Sequence, residues 1–116
     1  MIIITRSFGK ELSHFSPNIK SELVSLISKH DVWLSRNFIL LKKEENLFIF
    51  KGYLDGKRVR VTIGKTQKGN YIPLEILKKE SKAGYNIRDD YDASNIIDRT
   101  NREIIEDKYE TLSLLV

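Results

Sequence analysis

Four basic side chains, Lys51, Arg58, Arg60 and Lys79, are the residues of this chain best suited to chemistry, and two tyrosines, Tyr53 and Tyr85, accompany them. Arginine offers a phosphate a planar fork of paired hydrogen bonds, and lysine offers a point charge. A tyrosine ring offers an unpaired base a surface on which to stack. Cations interleaved with aromatic rings suit single-stranded RNA better than a smooth duplex.

The element that would gather them is residues 47–63, LFIFKGYLDGKRVRVTI. Asp55-Gly56 is a two-residue turn signal, because a type I′ turn needs positive φ at both central positions. Closed there, the hairpin sets Leu54 against Lys57, Tyr53 against Arg58, Gly52 against Val59 and Lys51 against Arg60. Alternation then lines one face with Phe48, Phe50, Val59, Val61 and Ile63, and the other with Lys51, Tyr53, Arg58, Arg60 and Thr62. Like charges directly opposed are destabilising, so the Lys51–Arg60 pair implies an anion to be held there. The bland reading is a solvated sheet face on which Glu75 neutralises one arginine. Against it stand four cations facing a single carboxylate.

Other chemistries find little support. His14 and His30 fall in helical segments, where packing or surface roles are the ordinary ones. No HExxH, EF-hand loop, phosphate loop, GxGxxG or Gly-x-Ser-x-Gly occurs. Gly64-Lys65-Thr66 lacks the upstream glycine of a phosphate loop and lies between strands. Asp89, Asp90 and Asp92 read as a solvated acidic loop. With no cysteine, disulfides and thiolate metal sites are excluded. No metal ligands and no cofactor are assigned.

The surrounding elements follow from periodicity. Residues 2–5 are a β-branched run suited to a strand. Ser7 is a cap for a helix over about 8–15, with Phe8, Leu12 and Phe15 on one side. Ser16-Pro17 signals a second helix, whose stripe is Ile19, Leu23, Leu26, Ile27 and His30. Strands follow at 38–43, 46–54, 57–63 and 71–79. In the last of these Ile72, Leu74 and Ile76 are expected to point inward, while Pro73, lacking a donor, implies an edge or an irregular start. A final helix over about 94–108 would contact the core through Ile97, Ile104 and Ile105. The expected class is α+β: two N-terminal helices packed on a small, mostly antiparallel sheet in the order β-α-α-β-β-β, with a C-terminal α-rich tail. The expected division is a core at 1–86 and an acidic extension at 87–116.

The 116 residues, 41% hydrophobic and 31% charged, suit one soluble domain. No apolar run approaches the roughly 18 residues of a membrane span, and the N-terminus is too short in apolar residues for a signal sequence, so a cytoplasmic location is expected. The net charge of +4 is unevenly spread: residues 1–41 carry +2, residues 42–82 carry +6 and residues 83–116 carry −4. A basic middle favours a polyanionic partner, and an acidic tail either covers that middle or is simply solvated.

The element order, the hairpin motif Gly56-Lys57-Arg58-Val59-Arg60-Val61 and the run Leu77-Lys78-Lys79-Glu80-Ser81-Lys82-Ala83-Gly84-Tyr85 resemble the RelE/ParE superfamily of bacterial toxins over about residues 2–86. RelE-like members cut messenger RNA in the ribosomal decoding site without metal. The resemblance implies a phosphate-binding role for Arg58 and matches Lys51, Lys79 and Tyr85 to the pattern's other catalytic positions. Arg60, Tyr53, Lys42, Lys43, Lys78 and Lys82 become RNA-contacting candidates. The chain departs from the pattern where Lys79 stands for a common arginine, where Ile49 stands for a second lysine, and in its longer acidic tail. The resemblance also implies a cognate antitoxin protein as partner. ParE-like relatives share the fold but inhibit DNA gyrase, and a non-catalytic RNA-binding protein would use the same face.

Overall fold

The computed structural model describes residues 1–28, 38–44, 47–79 and 94–114. Its elements are β1 (Ile2–Thr5), α1 (Arg6–Leu12), α2 (Ile19–Ser28), β2 (Phe38–Glu44), β3 (Leu47–Leu54), β4 (Lys57–Lys65), β5 (Tyr71–Lys78), α3 (Ser94–Ile105) and β6 (Tyr109–Leu112). The class is α+β with a mixed sheet. The order differs from the expected β-α-α-β-β-β with an α-rich tail: the four strand segments read between 38 and 79 all form, one more than that order counts, and the tail supplies a strand as well as a helix. The six strands form one sheet in the order β2-β3-β4-β5-β1-β6. β2 to β5 make an antiparallel meander, β1 runs parallel to β5, and β6 is antiparallel to β1. No helix among the described residues is long and apolar enough to cross a membrane.

The main core lies between the sheet and the α1–α2 layer. Phe8 and Leu12 of α1 and Ile19, Leu23 and Ile27 of α2 meet Ile2, Ile4, Phe48, Leu54, Val59, Val61, Ile63, Tyr71 and Ile76. The helix stripe thus packs on the apolar face of the hairpin, as the 3.6 and 2.0 periodicities require. His30, the last member of the predicted stripe, lies outside the described residues.

Helix starts differ from the predicted caps. Thr5, not Ser7, caps α1: its hydroxyl accepts from the Phe8 N–H at 3.3 Å. The strand therefore runs directly into the helix, and Ser7 sits within the first turn. Its N–H donates to Glu103 Oε1 at 2.7 Å, while the Arg6 N–H donates to the Lys108 carbonyl at 3.0 Å. These are the donors that every helix N-terminus leaves without intrahelical partners, and here α3 and the turn after it satisfy them. α2 begins at Ile19, two residues later than Pro17, because Ser16 is engaged elsewhere.

Pro73 occupies an interior strand, so of the two expectations the irregular start holds and the edge does not. The register with β4 shifts between Thr62 and Ile63, where Thr62 pairs with Glu75 and Ile63 with Pro73, leaving Leu74 as the extra residue of a bulge. The bulge tolerates proline in β5 because the ladder is already interrupted there. It also breaks the alternation. Ile76 and Tyr71 join the main core, whereas Leu74 joins Leu47, Ile72 and Ile96 of α3 in a second apolar cluster on the opposite side of the sheet. α3 docks through Ile96, Thr100 and Glu103, with Thr100 and Glu103 buried, whereas Ile97 and Ile105 are exposed, Ile105 to 81%. The predicted contacts at Ile97 and Ile105 are thus displaced by about one helical residue.

Glu11 closes the β5 side of α1. Its Oε2 accepts from the Ile76 N–H at 3.1 Å, and Arg99 of α3 lies 3.9 Å from Oε1. Burial holds its carboxyl above the usual 4.5, against the lowering effect of that N–H and of Arg99.

Candidate nucleic-acid interface

The β3–β4 hairpin has the predicted register, with Leu54 opposite Lys57, Tyr53 opposite Arg58, Gly52 opposite Val59 and Lys51 opposite Arg60. Asp55 and Gly56 both take positive φ, 55° and 69°, the backbone that a type I′ turn demands. The turn is fastened to the helix layer. The Asp55 carboxylate accepts from the Ser16 N–H at 2.8 Å and from the Ser16 hydroxyl, and the Asp55 N–H donates to Glu22 Oε2 at 3.0 Å. Hydrogen bonds from the Ser16 side chain and backbone hold the Asp55 carboxyl below its ordinary 3.8. This explains why Ser16 does not cap α2.

Side chains on the face away from α1 and α2 stand in cross-strand rows. In the row nearest the turn, Tyr53 opposes Arg58, and the Lys79 N–H donates to the Arg58 carbonyl at 3.0 Å, placing Lys79 beside it. All three are exposed. Arg58 Nε donates to the Tyr53 hydroxyl at 2.8 Å, and the guanidinium carbon lies 5.6 Å from the Tyr53 ring centre. The next row is Lys51, Arg60 and Leu77, and the third is Ile49, Thr62 and Glu75.

Exposure falls abruptly between the first row and the second. Arg60 is only 1% exposed, and its NH2 group donates to Glu75 Oε1 at 2.7 Å. Ile49 and Thr62 are buried as well, while Lys51 is partly buried. Burying a charge is costly unless it is paired, so the Arg60–Glu75 bridge is what permits an arginine at this depth. The predicted cationic face is therefore two zones: an exposed row of Tyr53, Arg58 and Lys79, and a buried ion pair behind it. The signal for the buried zone was present in Ile49 and Leu77, apolar residues flanking Arg60 on a face read as polar.

The remaining candidates are scattered. Lys78 alternates to the helix side, where its Nζ donates to the His14 carbonyl at 2.8 Å and lies 4.7 Å from the Phe15 ring centre. Lys57 approaches the same ring at 5.7 Å. Lys78 is thus separated from Arg58 by the sheet itself. Lys42 and Lys43 occupy β2 at the register positions of Ile49 and Phe48. Lys82 and Tyr85, like Asp89, Asp90 and Asp92, lie outside the described residues. Among the described residues no three His, Cys, Asp or Glu side chains come together as a metal-holding group.

The chain matches no family model, no curated protein and no solved structure.

Proposed function

We propose that this chain is a RelE-like toxin, an endoribonuclease that cuts messenger RNA, with ribosome-bound message as its substrate, and so arrests translation in the cytoplasm. The observation that carries the reading is the exposed row of Tyr53, Arg58 and Lys79 at the hairpin end of the sheet. The +6 charge of residues 42–82 and the toxin resemblance of residues 2–86 support it.

The chemistry is in-line attack of a ribose 2′-hydroxyl on its neighbouring phosphate. The O2′–P bond forms and the P–O5′ bond breaks, giving a 2′,3′-cyclic phosphate and a 5′-hydroxyl end. Negative charge accumulates on the phosphoryl oxygens, and Arg58 with Lys79 stabilises it, the kind of term that dominates in such sites. Lys51 and Tyr85 are the candidates for taking the 2′ proton and returning one to the 5′ oxygen. Arg60 acts from within the sheet, held by Glu75. An antitoxin protein that covers the exposed row is the partner this reading brings with it.

Purified protein added to a translating extract should leave mapped breaks in the message by primer extension. Arg58→Ala should reduce them about 10²- to 10³-fold. Intact message with the wild-type chain overturns the proposal.

A second reading, RNA binding without scission, draws on the Arg60–Glu75 bridge, which occupies the carboxylate otherwise available as a base near the row. It predicts salt-dependent affinity for RNA and no cleavage.

A further inference from the structure

Arg58 and Tyr53 are linked in a way that the roles of phosphate binder and stacking ring, taken separately, do not require. They are direct cross-strand partners, and the phenol oxygen accepts the Nε–H at 2.8 Å. The guanidinium carbon is nevertheless 5.6 Å from the ring centre. Stacked planes lie about 3.5–4 Å apart, so the guanidinium sits at the hydroxyl rim of the ring and not over its middle. Two consequences follow. With Nε committed, the guanidinium's end-on edge, its two terminal amino groups, is the fork offered to an anion. And Arg58 leaves the faces of a ring that is 50% exposed clear for another planar group.

We propose that Tyr53 and Arg58 form a single-nucleotide unit: the Tyr53 hydroxyl positions the Arg58 fork on one phosphate, while the exposed ring face takes the adjoining unpaired base. Tyr53 is then a positioning residue toward the phosphate and a contact residue toward the base. The unit selects single strands, because a paired base has no free face to give. Lys79, beside Arg58 in the same row, supplies a charge without a fork. This inference rests on the RNA reading above, but it concerns binding and does not need cleavage.

The test is titration of a non-cleavable 2′-O-methyl single-stranded 12-mer carrying one 2-aminopurine, followed by fluorescence across a salt series. The wild-type chain should bind and quench the fluorophore. Tyr53→Phe keeps the ring and loses the hydroxyl; it should quench at saturation but bind about tenfold more weakly, the worth of one hydrogen bond to a charged group. Its salt slope should be unchanged, because no charge is lost. Arg58→Lys should behave in the same way, whereas Arg58→Ala should flatten the slope by about 0.7. Tyr53→Ala should abolish quenching. Wild-type affinity in Tyr53→Phe, or wild-type quenching in Tyr53→Ala, overturns the unit. A chain that binds and quenches but never cuts message keeps the unit and loses the nuclease. One that cuts without quenching does the reverse, and one that binds no RNA loses both.

Discussion

At the scale of single residues, Glu75 has two readings from the sequence: the carboxylate that neutralises one arginine, or, if no arginine consumes it, a base for RNA scission. In the structure it holds Arg60, which is almost wholly withdrawn from solvent. The two roles make opposite predictions. A general base replaced by its amide leaves a folded, inactive protein. A carboxylate that pairs a buried guanidinium leaves that charge uncompensated when it is neutralised, at a cost of about 3 kcal/mol. Glu75→Gln should therefore lower the urea-denaturation stability by roughly that amount, while RNA binding through Arg58 persists in whatever fraction stays folded. Full stability with abolished cleavage would instead make Glu75 a catalytic base. The pairing was legible but its burial was not, because strand alternation assigns a side chain to a face and is silent on what covers that face. Arg58 and Arg60 are two residues apart, on one strand and one side, yet one is exposed and the other buried.

At the scale of elements, legibility tracked sequence separation. The hairpin was readable down to its register because Asp55-Gly56 permits few other backbones and the flanking alternation leaves one pairing. The α1 and α2 stripes were readable for the same local reason. The N-terminus of α1 was not, because its satisfaction depends on Glu103, 96 residues away. A serine at position 7 looks like a cap in isolation, but Thr5 already serves Phe8 and a distant carboxylate serves Ser7. Pro73 signalled an edge or an irregularity in β5, but the bulge at Leu74 could not be placed, since an added residue in a strand shows itself only against its partner strand. Glu103 is 8% exposed and its hydrogen bond to the Ser7 N–H is partly buried, so its removal takes the partner from a donor with limited access to solvent. Glu103→Ala should cost about 1–3 kcal/mol, read as a shift of the urea midpoint, and Glu103→Gln should recover a good part of that loss because its amide oxygen still accepts. Equal midpoints for wild type and alanine variant would mean that α3 does not cap α1.

At the scale of the whole molecule, the question is what the acidic C-terminal segment does to the basic middle. Charge pattern alone allows a tail that folds back on residues 51–82 and screens them, and equally a solvated helix that completes the core. Three carboxylates of the described part of the tail are occupied otherwise. Glu103 accepts from Ser7, Glu106 pairs with Lys108 at 2.8 Å and Glu110 pairs with Lys20 at 2.7 Å, so these carboxylates meet neither Arg58 nor Lys79. The segment is also built into the sheet. β1 shares a single register pair with β5, Ile2 with Tyr71, but four with β6, from Ile2–Leu112 to Thr5–Tyr109. Removing residues 94–116 would make β1 an edge strand held at one point, take the partners from the Arg6 and Ser7 N–H groups, and uncover Leu47 and Leu74 where Ile96 packs. Each loss is of the order of 1–3 kcal/mol, and together they approach the whole stability of a domain this size, about 5–15 kcal/mol. A chain ending at residue 93 should therefore lose its cooperative thermal transition in circular dichroism and show no gain in RNA affinity. A screening tail predicts the contrary, a truncated chain that melts like wild type and binds RNA more tightly. Replacing exposed Glu106 and Glu110 together by glutamine separates the two effects, because it removes tail charge while keeping β6 in place. Screening requires tighter RNA binding from that variant than from wild type, whereas a tail that completes the sheet predicts the wild-type affinity after correction for the change in net charge.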